Sequence, residues 1–207
     1  MSVIRSVRNK IRKHLDAFLR MVWHISIKFE MMREREPDKY VCLIRAMHRR
    51  LQIRHDYTQR GLPFCRQPLE LVAVPCGLNG KQLLMTPDTR DCFLAMQAAA
   101  AGDGVNLFVL WSYRSADDQA QLIRQQLSYG KTIDGLLTWI AAPGYSEHHT
   151  GRALDFETMP ADMEFEDTRE FDWLCKNAGK FQFRLSYPRN NIYGIIYEPW
   201  HWCCHGE

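Results

Sequence analysis

No apolar run of about 18 residues or more occurs anywhere in the chain, which excludes a membrane-crossing helix in the usual sense. Paired cysteines are also missing. The seven cysteines, Cys42, Cys65, Cys76, Cys92, Cys175, Cys203 and Cys204, are odd in number, form no CxxC and share no regular spacing, so they do not read as a disulfide framework. Cys203 and Cys204 are adjacent and could bond only with strain, and neither stands at a usual zinc-ligand distance from another cysteine. Free thiols point toward a reducing compartment. The opening segment, MSVIRSVRNKIRKHLDAFLRMVWHISIKF, has basic residues but neither an uninterrupted apolar stretch nor a small-residue cleavage site, and is expected to be a poor signal peptide. Low-complexity tracts are absent too, so most of the chain is expected to fold.

What is present is enough for one domain of ordinary size with a modest appendage: 207 residues, 46% of them hydrophobic. The net charge of +3 conceals a split. Residues 1–60 carry 15 Lys and Arg against 6 Asp and Glu, whereas residues 61–207 carry 12 against 18. A basic front and an acidic remainder suggest an appendage that touches something anionic, with a solvated helical face as the plainer alternative. An anionic membrane surface is one candidate partner, while packing of the extension's apolar stripe on a neighbouring helix is the preferred reading. Nucleic acid is not expected, because charge alone would support it.

Hydrophobic spacing organises the chain. Ile4, Val7, Ile11, Leu15, Phe18 and Val22 recur at steps of three and four, the pattern of an amphipathic helix. Tyr40, Ile44, Met47 and Leu51 predict a second, ending before the turn-like RGLP at 60–63. We therefore expect a basic helical extension over 1–62 and a compact domain over 63–207. In the latter, LELVAVP (69–75), Val105–Tyr113, ALDFET (153–158) and YGIIYEPWHW (193–202) read as strands. Residues 86–101, 115–128 and Arg169–Gly179 read as helices, with Thr86 and Ser115 as start signals. Strands and helices do not alternate in a βαβ rhythm, so the expected class is α+β, with a small antiparallel sheet packed against helices.

The densest chemical signal is SEHHTGRALDF (146–156). His148 and Asp155 stand seven positions apart with Gly151 between them, and can converge on one ion if a loop leads into a strand. The segment EPWH supplies His201 as a third ligand, and two histidines with one carboxylate and an open position describe a catalytic zinc site. Zinc lowers the pKa of a coordinated water, but a base must still take the proton and pass it to a leaving amine. Glu198 is the candidate, three positions from His201 and held by Pro199. Arg114, in WSYRS, suits the negative charge that develops on an attacked carbonyl. His149 is expected to point away from the metal; His205 is unassigned.

The ordered segments YRSADDQ (113–119), SEHHTGRALD (146–155), WLCKNAGKFQFRLSYP (173–188) and EPWHW (198–202) resemble the VanY-type D-alanyl-D-alanine carboxypeptidases, zinc peptidases with SxHxxGxAxD and EPWH motifs. The resemblance covers roughly residues 69–203. It implies one zinc ion held by His148, Asp155 and His201, with Glu198 as catalytic base. It places Arg114, Ser115, Gln119, Ser146, Tyr187 and Trp200 at the substrate, a peptidoglycan stem peptide or precursor losing a C-terminal D-alanine. Arginine pairs a free carboxylate with two parallel hydrogen bonds. A D,D-dipeptidase, a peptidoglycan endopeptidase, or a non-catalytic module that binds wall peptides are the alternatives. Three departures bear on substrate preference: Trp111-Ser112 stand where the family shows SG, Ser186 replaces the arginine of RYP, and Phe181-Gln182-Phe183 replace YGF. Peptidoglycan as substrate points to the periplasm or cell envelope, whereas the free thiols and weak signal segment point to the cytoplasm; recycling of wall fragments would satisfy both.

Overall fold

The computed structural model describes residues 38–74, 82–159, 161 and 163–206. The helix expected over residues 4–22 lies outside them. Two compact units divide the chain, Met1–Cys42 and Leu43–Glu207. Of the first, the described residues open helix α1 (Lys39–Arg50), where the Asp38 carboxylate accepts the backbone N–H groups of Tyr40 and Val41. Every other element among the described residues belongs to the second unit.

There, residues 43–62 pack against the loop at 137–145. Ile44 and Leu51 are buried, His48 Nε2 donates to the Pro143 carbonyl at 2.8 Å, and the Tyr57 hydroxyl accepts the Ala142 N–H at 2.9 Å. Gly144 has φ +83°, and a Cβ there would stand 2.7 Å from Ile44, so only glycine lets this loop close on the segment.

Strand β1 (Val72–Val74) pairs with β2 (Leu83–Met85) in a two-stranded antiparallel ribbon. Helix α2 (Pro87–Gly102) follows, with proline in its first turn and the Thr86 hydroxyl accepting from the Thr89 N–H, an N-cap that satisfies an otherwise orphaned donor. Next come β3 (Phe108–Trp111), α3 (Ala116–Ser128), the short α4 (Ile133–Leu136), β4 (Ala153–Glu157), α5 (Arg169–Asn177), β5 (Phe183–Leu185) and β6 (His201–Cys204). The main sheet runs β3-β4-β6-β5 and all its pairings are antiparallel. The α+β class follows the sequence pattern.

Side chains alternate across this sheet. Leu154 and Phe156 on β4, with Trp202 and Cys204 on β6, enter the core, where they meet Phe93, Met96 and Ala100 of α2 and Trp173 and Leu174 of α5. The opposite face carries Asp155 and His201. Cys203 and Cys204 therefore point to opposite sides of β6, and both are free.

Strands β1 and β3 are shorter than the sequence suggests, at three and four residues, and the last strand departs furthest. Of the expected 193–202 run, only His201 and Trp202 are in β6, which continues to Cys204. Gly194 turns the chain at φ +69°, and the Ile196 N–H goes to the Thr138 carbonyl rather than to a neighbouring strand. The β-rich composition of this segment gives way to a loop. Strands β2 and β5, three residues each, are too short for a periodicity to announce them.

Candidate metal centre

The register across three strands assembles the centre. Trp111 pairs with Asp155, and Asp155 with His201, so one row of the sheet brings the carboxylate beside an imidazole. The third donor arrives on a 3-10 turn, Glu147–Thr150, that leads into β4. Gly151 ends that turn at φ +67°, and a Cβ there would stand 2.8 Å from Leu71 and 3.3 Å from the Thr86 nitrogen, while the Thr86 N–H donates to the Gly151 carbonyl. The glycine thus permits both the left-handed turn and its docking on the start of α2.

The turn is stitched to the end of β3. His148 Nδ1 donates to the Ser112 carbonyl at 2.7 Å, His149 Nδ1 donates to the Arg114 carbonyl at 2.8 Å, and the Arg114 N–H donates to the His148 carbonyl at 3.1 Å. His149 is fully buried and stands outside the donor cluster, and its bond holds the backbone of Arg114. The Ser112 hydroxyl accepts the Leu84 N–H at 3.1 Å, tying β2 to the same junction.

His148, Asp155 and His201 each offer a ligand atom, and those atoms lie within 4.8 Å of one another. His148 Nε2 is 3.1 Å from Asp155 Oδ2, and His201 Nδ1 is 2.8 Å from Asp155 Oδ1. His201 Nε2 sits 3.0 Å from Glu147 Oε2. Glu198 Oε2 stands 3.9 Å from His201 Nδ1, near the cluster but outside hydrogen-bonding reach of it.

These groups fit a divalent cation. A carbonyl only accepts, so the proton of His148 is on Nδ1 and burial keeps the ring neutral, its pKa lowered despite the attraction of Asp155. Its Nε2 lone pair then faces a carboxylate oxygen, an arrangement that repels unless a positive centre lies between. Burial alone would lower the pKa of His201, but hydrogen bonds to the Asp155 and Glu147 carboxylates raise it, so the ring sits in a site that favours positive charge. Burial would likewise raise Asp155, yet the attraction of both histidines holds it well below the usual carboxylate range. Two imidazole nitrogens and an ionised carboxylate are ordinary zinc ligands. Glu198 differs from Asp155: burial pushes it up to about 7, with Asp155 and Glu147 adding repulsion.

The cluster opens into a cleft of about 860 Å³. Arg114, Gln119, Ser146, Tyr187, Glu198 and Trp200 all line it. Arg114 donates through a guanidinium N–H to Gln119 Oε1 at 3.1 Å, and Gln119 Nε2 donates to the Ala141 carbonyl at 2.7 Å, so a buried amide orients the cation. The guanidinium also lies 5.4 Å from the Trp111 ring centre. The indole standing where the family shows serine is therefore part of the wall against which Arg114 rests. The Tyr187 ring packs 5.0 Å from that of His201. Ser115 is placed differently from the rest. It does not line the cleft, and its hydroxyl accepts the Asp118 N–H and donates to the Asp118 carboxylate, capping α3. Sequence reasoning missed Glu147 and Ser112; an acid immediately before a motif histidine was the available sign of the first.

A three-donor centre with an unliganded acid beside it, opening into a cleft with an oriented arginine, has the make-up of a metallohydrolase site. Residues 82–207 match the family model VanY, D-alanyl-D-alanine carboxypeptidase, and the chain belongs to that family. The D-alanyl-D-alanine carboxypeptidase of Enterococcus faecium is 32% identical over 128 residues, 60% of this chain and 39% of that protein. Among solved structures, the LdcB LD-carboxypeptidase aligns with TM-score 0.61 and 29% identity over 70% of this chain and 72% of that one. VanYB in complex with D-alanine-D-alanine aligns with TM-score 0.57 and 25% identity, over 70% of this chain and 86% of that one. The chain spans about half the length of the curated relatives it matches.

Proposed function

We propose that this protein is a zinc-dependent carboxypeptidase that removes a C-terminal D-alanine from peptidoglycan stem peptides or their precursors, with one zinc ion held by His148, Asp155 and His201. The observation that carries this reading is the meeting of those donors within 4.8 Å of one another, with Glu198 alongside, in a cleft that also holds Arg114. The names of the relatives and the dipeptide bound to VanYB favour the same substrate class.

When bound, the ion would acidify a water toward neutral pH and polarise a carbonyl. The remaining work falls to the chain. Glu198 takes a proton from the attacking water at a carboxylate oxygen and returns it to the leaving amine, a role suited to a buried acid pushed up to about 7. Arg114, held by Gln119, pairs with negative charge, either the terminal carboxylate of the substrate or the oxygen of the attacked carbonyl. Ser146, Tyr187 and Trp200 complete the walls that orient the peptide.

Mass spectrometry of products from a stem pentapeptide, a tetrapeptide and free D-alanyl-D-alanine tests this directly. The expected result is loss of one D-alanine from the pentapeptide, abolished by a chelator and restored by zinc. Cleavage confined to peptide cross-links would contradict the carboxypeptidase reading in favour of an endopeptidase, and cleavage of the free dipeptide alone would favour a dipeptidase. Zinc-dependent peptide binding without hydrolysis would leave a recognition module.

A further inference from the structure

We propose that Glu147 is a positioning residue that fixes the ring orientation and tautomer of His201, so that the two histidines offer opposite nitrogens to the metal, Nε2 of His148 and Nδ1 of His201. This role rests on the reading of His148, Asp155 and His201 as the ligands.

The geometry is specific. Each histidine has one nitrogen turned to Asp155 and the other engaged by a second acceptor: for His148 the buried Ser112 carbonyl at 2.7 Å, for His201 the partly buried Glu147 carboxylate at 3.0 Å. Both accept a hydrogen bond from the ring, and a neutral imidazole that carries its proton on one nitrogen presents a lone pair on the other. Glu147 does not line the cleft, whereas Glu198 does, so the two acids flank His201 with different access to substrate. Glu147 is only partly buried, and a carboxylate so placed is served by a donor such as His201 Nε2.

The turn that carries Glu147 explains why one residue can do this. Residues 147 and 148 are neighbours on the same 3-10 turn, so one short segment delivers a ligand with His148 and clamps a second ligand, 54 positions away, with Glu147. The turn is fastened to the end of β3 and to the start of α2 by the bonds of His148, His149 and Gly151, which makes the clamp rigid. Outer carboxylates of this kind typically change metal affinity by about 10–100-fold when removed.

Two measurements on the full chain test the role. Zinc affinity is read by competition with a chromophoric chelator for wild type, Glu147→Ala and Glu147→Gln. Binding about 10–100-fold weaker is expected in Glu147→Ala, with a smaller loss in Glu147→Gln, whose amide oxygen can still accept from Nε2. Nitrogen-15 NMR of the zinc-loaded wild type, which needs no variant, is expected to place the proton of His201 on Nε2 and that of His148 on Nδ1. Wild-type affinity in Glu147→Ala, or a His201 proton on Nδ1, overturns the role while leaving the metal site standing. Failure of the wild type itself to bind zinc overturns the ligand assignment and this role with it.

Discussion

Glu198→Gln is expected to keep zinc bound and to lower kcat about 10²–10⁴-fold, the usual contribution of a positioned acid-base group. Little change in KM is expected, because the amide retains the shape of the side chain and the lost interaction matters in the transition state rather than in the bound substrate. The reason for choosing this residue over the other acids is geometric. Asp155 is consumed by two histidines, Glu147 is turned to the far nitrogen of His201, and Glu198 alone of the three stands at the cleft side without a hydrogen bond to either imidazole. Loss of a carboxylate that burial already pushes up to about 7, repelled by two neighbours, should leave the fold at least as stable as before. Steady-state kinetics with a stem pentapeptide, together with metal content, provides the check; full turnover in this variant would remove the proposed base.

The other large effect is expected from Asp155→Ala. Asp155 faces both histidine nitrogens through its two oxygens, so its removal dismantles the donor set rather than thinning it. Activity should fall to the level of chelated wild type. A second readout separates metal loss from misfolding. Zinc at about 100 times its dissociation constant stabilises a protein by about 2.7 kcal/mol, or roughly 5–10 °C in Tm for a chain of this size. Thermal unfolding of wild type should show that rise on adding zinc, and Asp155→Ala should unfold cooperatively without it. An undiminished zinc-dependent shift in the variant would mean that the ion is held elsewhere.

Much of this centre was legible because its chemistry is concentrated. His148 and Asp155 share one short motif, His201 and Glu198 share another, and both motifs sit where a loop meets a strand, so residue type and spacing sufficed to group them. Helices α2 and α3 were legible as well, since Thr86 before Pro87 and Ser115 before two aspartates are start signals written in local chemistry, whereas the four-residue α4 was not expected. What stayed hidden depends on contacts across the fold. Glu147 gains its role only when β6 is laid beside β4, and nothing in its neighbours along the chain says that His201 will arrive there. Ser112 acts through its backbone carbonyl, which no side-chain pattern can report. The stretch 193–200 has the composition of a strand, but Gly194 and the bond from Ile196 to Thr138 decide otherwise. Ser115, placed at the substrate by family likeness, is taken up by its cap on α3.

The most direct test of the metal centre is anomalous diffraction at the zinc edge from crystals of the zinc-loaded wild type. The expected map has one peak, about 2.0–2.2 Å from His148 Nε2, His201 Nδ1 and an Asp155 oxygen, with Glu198 nearby and unliganded. A fully occupied zinc peak at another place in the chain, or none at these three groups, would contradict it.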